Sequence, residues 1–267
     1  MGQVASAFDI SEIANSAYKH NFGISPQTRE LATISVSEIG AITADTWLMS
    51  PPCQPFCRMG NGLDLQDSRS AAFKNLVSVL PEIAPKQFVL ENVEGFLESC
   101  AFDVLAQSLD RAGLKWHVFM LCPTQFGIPN RRPRVYVVAN LNGVRNSPIP
   151  SIEPKTISNY LDRVEDESLY LCEKTIERHG QGMDVVTSES CRSACFIGGY
   201  GKRLVGSGSF LKTFKGIRRF SPKEISRLLG YSPVFCFPPQ ISTNNQYRLL
   251  GNGLNLVVAR WVINHLG

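Results

Sequence analysis

The sequence predicts an α/β fold: a parallel sheet with helices on both faces, joined to a smaller second lobe. Three observations predict it. Strand-like and helix-like segments alternate through the first half of the chain, as crossover connections require. Three reactive residues, Asp9, Cys53 and Glu91, each fall where a strand-like run ends. Such carboxyl ends form the rim where ligands bind in open α/β sheets. After Ala139 the pattern stops, and a polar, proline-containing stretch, 140–155, reads as a linker into an irregular region.

Taken in order, Ser6–Ile10 reads as the end of a short strand. Ser11 is a helix cap, with Glu12 in the first turn and the helix running to about His20. Thr46–Ser50 is an apolar strand that enters the loop Pro51-Pro-Cys-Gln-Pro-Phe56. Asp67 or Ser68 begins a helix with apolar residues at Ala71, Phe73, Leu76, Val77 and Leu80, a helical period, closed by Pro81 and Pro85. Gln87–Glu91 is the next strand. A helix over 102–109 stops at Gly113, and Trp116–Leu121 and Arg134–Ala139 are two further strands. Residues 156–239 are irregular, with a Gly-rich piece at 197–209 and a short helix, Pro222–Leu229, stopped by Gly230. Gln246–Asn255 reads as a turn, plain or ligand-facing, before an amphipathic helix over Asn255–Leu266.

Composition sets the outer bounds. The chain has 267 residues, 43% of them hydrophobic, enough for one sizeable core and a smaller lobe. A net charge of +4 permits a nucleic-acid partner without requiring one. No run approaches a membrane span, and the N-terminus lacks the pattern of a signal peptide. The eight cysteines therefore read as reduced thiols of a cytoplasmic or nuclear protein rather than a disulfide framework. Cys53/Cys57 and Cys191/Cys195 form two CxxxC pairs, but they lie far apart and lack the short spacing of a zinc ribbon, so no metal is expected.

Chemistry concentrates in a few residues. Free cysteines are usually small buried hydrophobes. Cys53, held between prolines at a strand end, is instead framed like a nucleophile. Glu91 ends a buried strand, where a carboxylate needs a partner or a task. Together they suit one reaction. A thiolate adds to carbon 6 of a cytosine while the carboxyl group hydrogen-bonds ring nitrogen 3, which makes carbon 5 nucleophilic toward a methyl group. Arg132 and Arg134, two apart in an extended run, would point the same way, and guanidinium forks suit phosphate or a ring carbonyl. Asp9 precedes a helix, where an acid caps the helix or holds a ribose diol.

These residues resemble the ordered motifs of the cytosine-5 methyltransferase family. The similarity rests on Pro51-Pro-Cys-Gln-Pro-Phe56, Glu91-Asn-Val93, Arg132-Pro-Arg134 and Gln246 through Asn255. Phe8-Asp-Ile-Ser-Glu-Ile-Ala-Asn15, Gln125-Phe-Gly-Ile-Pro-Asn130, Cys195-Phe196 and the run Arg219–Tyr231 resemble the type 2 DNA-methyltransferase homologues, which methylate tRNA. The resemblance implies a Rossmann-like sheet, S-adenosylmethionine as cofactor, and a monomer that acts on tRNA, with DNA as the alternative substrate. It implies Cys53, Glu91, Arg132 and Arg134 as catalytic residues, and Asp9, Ile10, Ile34, Pro51 and Asn252 at the cofactor. It also implies a catalytic domain over 1–149 and 240–267 and a target-recognition domain over 150–239, with aspartate tRNA as substrate.

Two departures accompany it. The family's Cys-Phe-Thr is Cys195-Phe-Ile197 here. Family chains also open with a strand and a Gly-rich loop, yet no G-x-G element precedes Asp9, so the reading is an N-terminally truncated chain without the usual first strand. A catalytically inactive nucleic-acid-binding form is the corresponding alternative.

Overall fold

The computed structural model describes residues 2–56, 63–145, 147–164 and 166–266. Helix α1 spans Glu12–Phe22, with the Ser11 side chain accepting from the Ala14 N–H at its start and Gly23, at φ 72°, ending it. A short helix α2, Val36–Gly40, carries a complete capping box between Ser35 and Glu38. The large sheet contains β1 (Thr46–Met49), β2 (Gln87–Asn92), β3 (Lys115–Leu121) and β4 (Arg134–Asn140) in the order β1-β2-β4-β3. Helices α3 (Ala71–Ile83) and α4 (Cys100–Arg111) flank β2 in sequence.

Only β1 and β2 run parallel, and β4 is antiparallel to both of its neighbours. The sheet is therefore mixed, not parallel as its periodicity suggests. The reversal lies in 122–133, where the turn Pro123–Gln125 and Gly127, at φ 78°, bring the chain back on itself. One consequence decides the site: the first residue of β4 lies at the same rim as the last residues of β1 and β2.

Strand alternation divides the core into two faces. Phe88, Leu90, Val135, Val137 and Ala139 pack against Phe73, Val77 and Leu80 of α3 and Leu105 and Leu109 of α4. Val89, Tyr136 and Val138 face the other way, against Val258, Val262 and Leu266. The first two of these belong to the C-terminal helix described below.

Local readings fail where tertiary contacts decide. Ser6–Ile10 is not a strand; only an isolated bridge joins Phe8 to Gln27. Asp9 is therefore not a strand end of the sheet. Pro81 does not close α3, which continues to Ile83 and ends at Ala84 in a left-handed conformation.

The second lobe is less irregular than its sequence. Helix α5 (Glu173–His179) precedes a three-stranded sheet of β5 (Asp184–Val186), β6 (Ser209–Thr213) and β7 (Gly216–Arg219). Helix α6 (Pro222–Leu228) starts in a capping box of Ser221 and Glu224. Glu224 is buried and takes both terminal nitrogens of Arg218, at 2.8 and 2.7 Å. Helix α7 (Thr243–Asn252) overturns the reading of 246–255 as a turn, and α8 (Leu256–Ile263) starts under the Asn255 cap. Tyr247 and Leu250 of α7 join the core of this lobe, whereas α8 covers the large sheet. Among the described residues no helix is long and apolar enough to cross a membrane.

Candidate active site

Three chain ends meet at one rim of the large sheet. Met49 pairs with Leu90 in the parallel register, so the next residues, Ser50 and Glu91, are neighbours. Glu91 stands opposite Tyr136 in the antiparallel register, which brings Arg134 to the same place from β4. The Ser50 hydroxyl donates to Glu91 Oε2 at 2.6 Å, and Arg134 Nε lies 3.1 Å from Glu91 Oε1. Both carboxylate oxygens are thus held, and the Glu91 side chain is only 10% exposed. A carboxylate in this setting is kept by its ion pair and hydrogen bonds against the cost of burial.

Cys53 follows immediately, half-buried, in the bend that leads into the turn Gln54–Phe56. Asn92 Nδ2 donates to the Pro51 carbonyl at 3.4 Å and so ties this loop to the end of β2. Burial opposes the charge of Arg134, but Cys195, Glu91 and Cys53 together outweigh it and hold its pKa above the ordinary arginine value. Burial, reinforced by Glu91, pushes Tyr136 up from the usual tyrosine range.

Arg132 does something different from Arg134. It is 4% exposed and donates from Nη1 to Cys195 Sγ at 3.1 Å and to the Phe196 carbonyl at 3.1 Å. From Nη2 it donates to the carbonyls of Gly251 and Gly253, at 3.0 and 2.7 Å. It therefore binds the start of β4 to the second lobe and to the end of α7. Among the described residues the two arginines converge on Cys195, which Arg134 Nη2 approaches at 4.0 Å.

The end of α7 is seated by a glycine. A Cβ on Gly251 would lie 2.2 Å from both the Gly198 nitrogen and the Ile197 carbonyl carbon, so no side chain fits there. Asn252, exposed, places its Oδ1 beside Gly198. This close backbone approach is why a Gly-x-Gly run that looks like a turn is built into a helix end.

The remaining candidates lie around the N-terminal segment. Asp9 is exposed, and its Oδ1 accepts from the Ser11 N–H at 2.7 Å. Ile10 is 70% exposed. Ile34 is buried with Ile39 and Val79, in a cluster that Phe8 and Trp47 of β1 flank. Pro51 is half-buried at the start of the Cys53 loop. Asn15 bonds the Asp9 carbonyl through Nδ2 at 2.8 Å, while its buried Oδ1 has no partner among the described residues.

The sequence reading missed Ser50 and the centrality of Cys195. Ser50 could have been found from the parallel register, since it follows one strand as Glu91 ends the next. Cys195 could not, because its approach to two arginines is made by the second lobe. Of the CxxxC pairs, Cys57 lies outside the described residues, and among those described no cluster of three or more His, Cys, Asp or Glu could hold a metal. Cavities of about 250 Å³ beside α6 and about 150 Å³ beside α1 contain none of the rim residues. The rim is identified by its chemistry, not by concavity.

Comparison with known proteins agrees with this chemistry. A family model described as C-5 cytosine-specific DNA methylase matches residues 1–181. A human tRNA (cytosine(38)-C(5))-methyltransferase is 30% identical, covering 97% of this chain and 92% of the relative. A Dictyostelium discoideum DNA (cytosine-5)-methyltransferase is 32% identical, covering 96% of this chain and 86% of the relative. The crystal structure of the S. pombe Dnmt2 methyltransferase superposes with a TM-score of 0.90 at 31% identity, covering 99% of this chain and 90% of that one.

Proposed function

The chain belongs to the C-5 cytosine-specific DNA methylase family, and on that premise we propose that it methylates carbon 5 of a cytosine in tRNA through a covalent Cys53 adduct. The observation that carries this reading is the carboxyl group of Glu91, fixed by Ser50 and Arg134 beside the Cys53 loop. The name of the human relative favours tRNA, and the anticodon loop of aspartate tRNA is the substrate we assign. The name of the Dictyostelium relative favours a second reading, DNA cytosine.

In this mechanism Cys53 Sγ attacks carbon 6 of a cytosine turned out of its stack. In the substrate complex the protonated carboxyl group of Glu91 donates to ring nitrogen 3, which takes the proton as electron density from the C5=C6 bond moves toward it, so that carbon 5 becomes nucleophilic. Its orientation is set beforehand, because Arg134 and Ser50 each hold one of its oxygens. Arg134 thus acts on the ring through Glu91. Arg132 is a positioning residue that holds the second lobe and the end of α7 at the rim. After methylation the carbon-5 proton passes to a water-borne base, its electron pair re-forms the C5=C6 bond and expels the Cys53 thiolate, and ring nitrogen 3 returns its proton to Glu91.

S-adenosylmethionine, when bound, supplies the methyl group. The chemistry of the N-terminal residues fits its adenosine part. Asp9 offers an exposed carboxylate for a ribose diol and Ile10 an exposed apolar face. Pro51, Ile34 and Asn252 complete the residues we assign to it. Residues 1–149 and 240–267 serve as the catalytic domain and 150–239 as the target-recognition domain.

The test is nucleoside mass spectrometry of tRNA incubated with the purified chain and methyl-labelled S-adenosylmethionine. One new 5-methylcytosine, absent with Cys53→Ala and not displaced by excess DNA, is expected. A cooperatively folded chain that labels no tRNA overturns the proposal, and labelling of DNA alone selects the second reading.

A further inference from the structure

The β6–β7 hairpin carries a feature the proposed reaction does not use. Thr213 pairs with Gly216, so the hairpin turns through two residues, Phe214 and Lys215. Neither has a positive φ; Gly216, at φ 139°, takes the conformation that side chains rarely adopt, so the two tip residues are not constrained to Asn, Asp or Gly. Here the tip carries an aromatic ring that is 91% exposed, with the Lys215 ammonium 5.8 Å from its centroid. Lys212, also exposed, stands on β6 just before it. Lys215 also pairs with Glu167 at 2.9 Å, and among the described residues Lys212 has no acid within ion-pair distance. From Ser190 to Lys223 the chain contains eight Lys and Arg and no Asp or Glu; Arg192, Lys215 and Arg218 among them pair with acids from outside this run.

The other end of β6 connects to the rim. Ser209 Oγ accepts from the Ala194 N–H at 2.7 Å, and the next residue, Cys195, lies against Arg132. Phe214 follows Ser209 by five residue steps along β6 into the turn, at most about 17 Å. That reach lies within the several-nucleotide sites that single-strand-binding surfaces cover.

Resting on the tRNA reading above, we propose that Phe214 is a base-stacking residue for unpaired RNA, with Lys212 and Lys215 contacting the adjoining phosphates. An unpaired base presents a π-face to an exposed ring, whereas duplex RNA keeps its bases stacked on one another. The ligand class is single-stranded loop RNA, held a few nucleotides from the target cytosine.

The test measures binding of a fluorescently labelled tRNA transcript to the full chain by anisotropy, with Phe214→Ala, Phe214→Leu and Phe214→Trp. Phe214 contributes nothing to the core, so all three variants are expected to melt like the parent chain. Alanine and leucine should weaken binding by roughly 5- to 100-fold, and tryptophan should retain it. Unchanged affinity in Phe214→Ala, or equal affinity in the leucine and tryptophan variants, overturns the stacking role while leaving the proposed reaction intact. A parent chain that does not bind tRNA overturns both.

Discussion

Replacing Arg132 by alanine separates a residue that acts on substrate from one that holds the architecture. Its two terminal nitrogens serve Cys195 Sγ and the carbonyls of Phe196, Gly251 and Gly253, all at 2.7–3.1 Å. Truncation leaves three backbone acceptors without their donor at a site that is 4% exposed in the intact chain. Each unsatisfied buried acceptor costs about 1–3 kcal/mol. Removal of the cation's own burial cost offsets part of that sum, so the net loss is on the order of 3–5 kcal/mol. For a chain of this size, that lowers the melting temperature by roughly 6–20 °C. Thermal melts by circular dichroism measure it, with methyl transfer assayed well below the melt. Arg132→Lys should fall in between, because one ammonium cannot reproduce the fork that spans both lobes. If Arg132→Ala melts within about 1 °C of the parent chain and loses only activity, the positioning role is wrong.

Other outcomes follow from the same contacts. Glu91→Gln keeps the shape but leaves the largely buried Arg134 without its counter-ion, so single-turnover methyl transfer should fall by roughly 10²- to 10⁴-fold and the melting temperature should fall as well. Gly251→Ala forces a Cβ into the backbone of Ile197 and Gly198, so it should both lower the melting temperature and abolish activity, as a melt and a methylation assay would show. Asp184 is held below the ordinary aspartate value: burial raises it, but the Ser209 hydroxyl and Arg192 outweigh that. Its contribution to stability is therefore complete above the unfolded value near 3.8 and is lost as pH falls through the lower folded one. Asp184→Asn should flatten the acid limb of the stability profile below about pH 4, measured by urea titration.

How legible this site was depended on the range of the interactions that build it. The placement of Cys53 and Glu91 at the ends of strands was readable because each lies at the end of a run of apolar residues whose period is local. The Ser11 cap and the Ser221–Glu224 start of α6 were readable for the same reason. The direction of β4 was not, since twelve or so residues can either cross over or turn back, and only Gly127 and the pairing with β2 and β3 decide it. That missed reversal is what brings Arg134 to Glu91. The spacing of Arg132 and Arg134 suggested a shared direction, but the second lobe claims Arg132 through carbonyls contributed by distant residues. The Phe8–Asp9 segment read as a strand because its residues suit one, yet a single bridge to Gln27 is all that pairs it. Gly251 marked a helix end packed on another backbone, a role that composition cannot distinguish from a turn.

The central claim is that Cys53 forms a covalent bond to cytosine. The direct measurement uses tRNA carrying 5-fluorocytosine at the target, incubated with the chain and S-adenosylmethionine, then denatured and digested for mass spectrometry. Fluorine at carbon 5 takes the place of the proton whose loss frees the enzyme, so the adduct should persist. A stable cross-link mapped to Cys53, and absent in Cys53→Ala, is the expected result. A folded chain that methylates tRNA without any such cross-link, or that cross-links through another cysteine such as Cys195, would contradict the account.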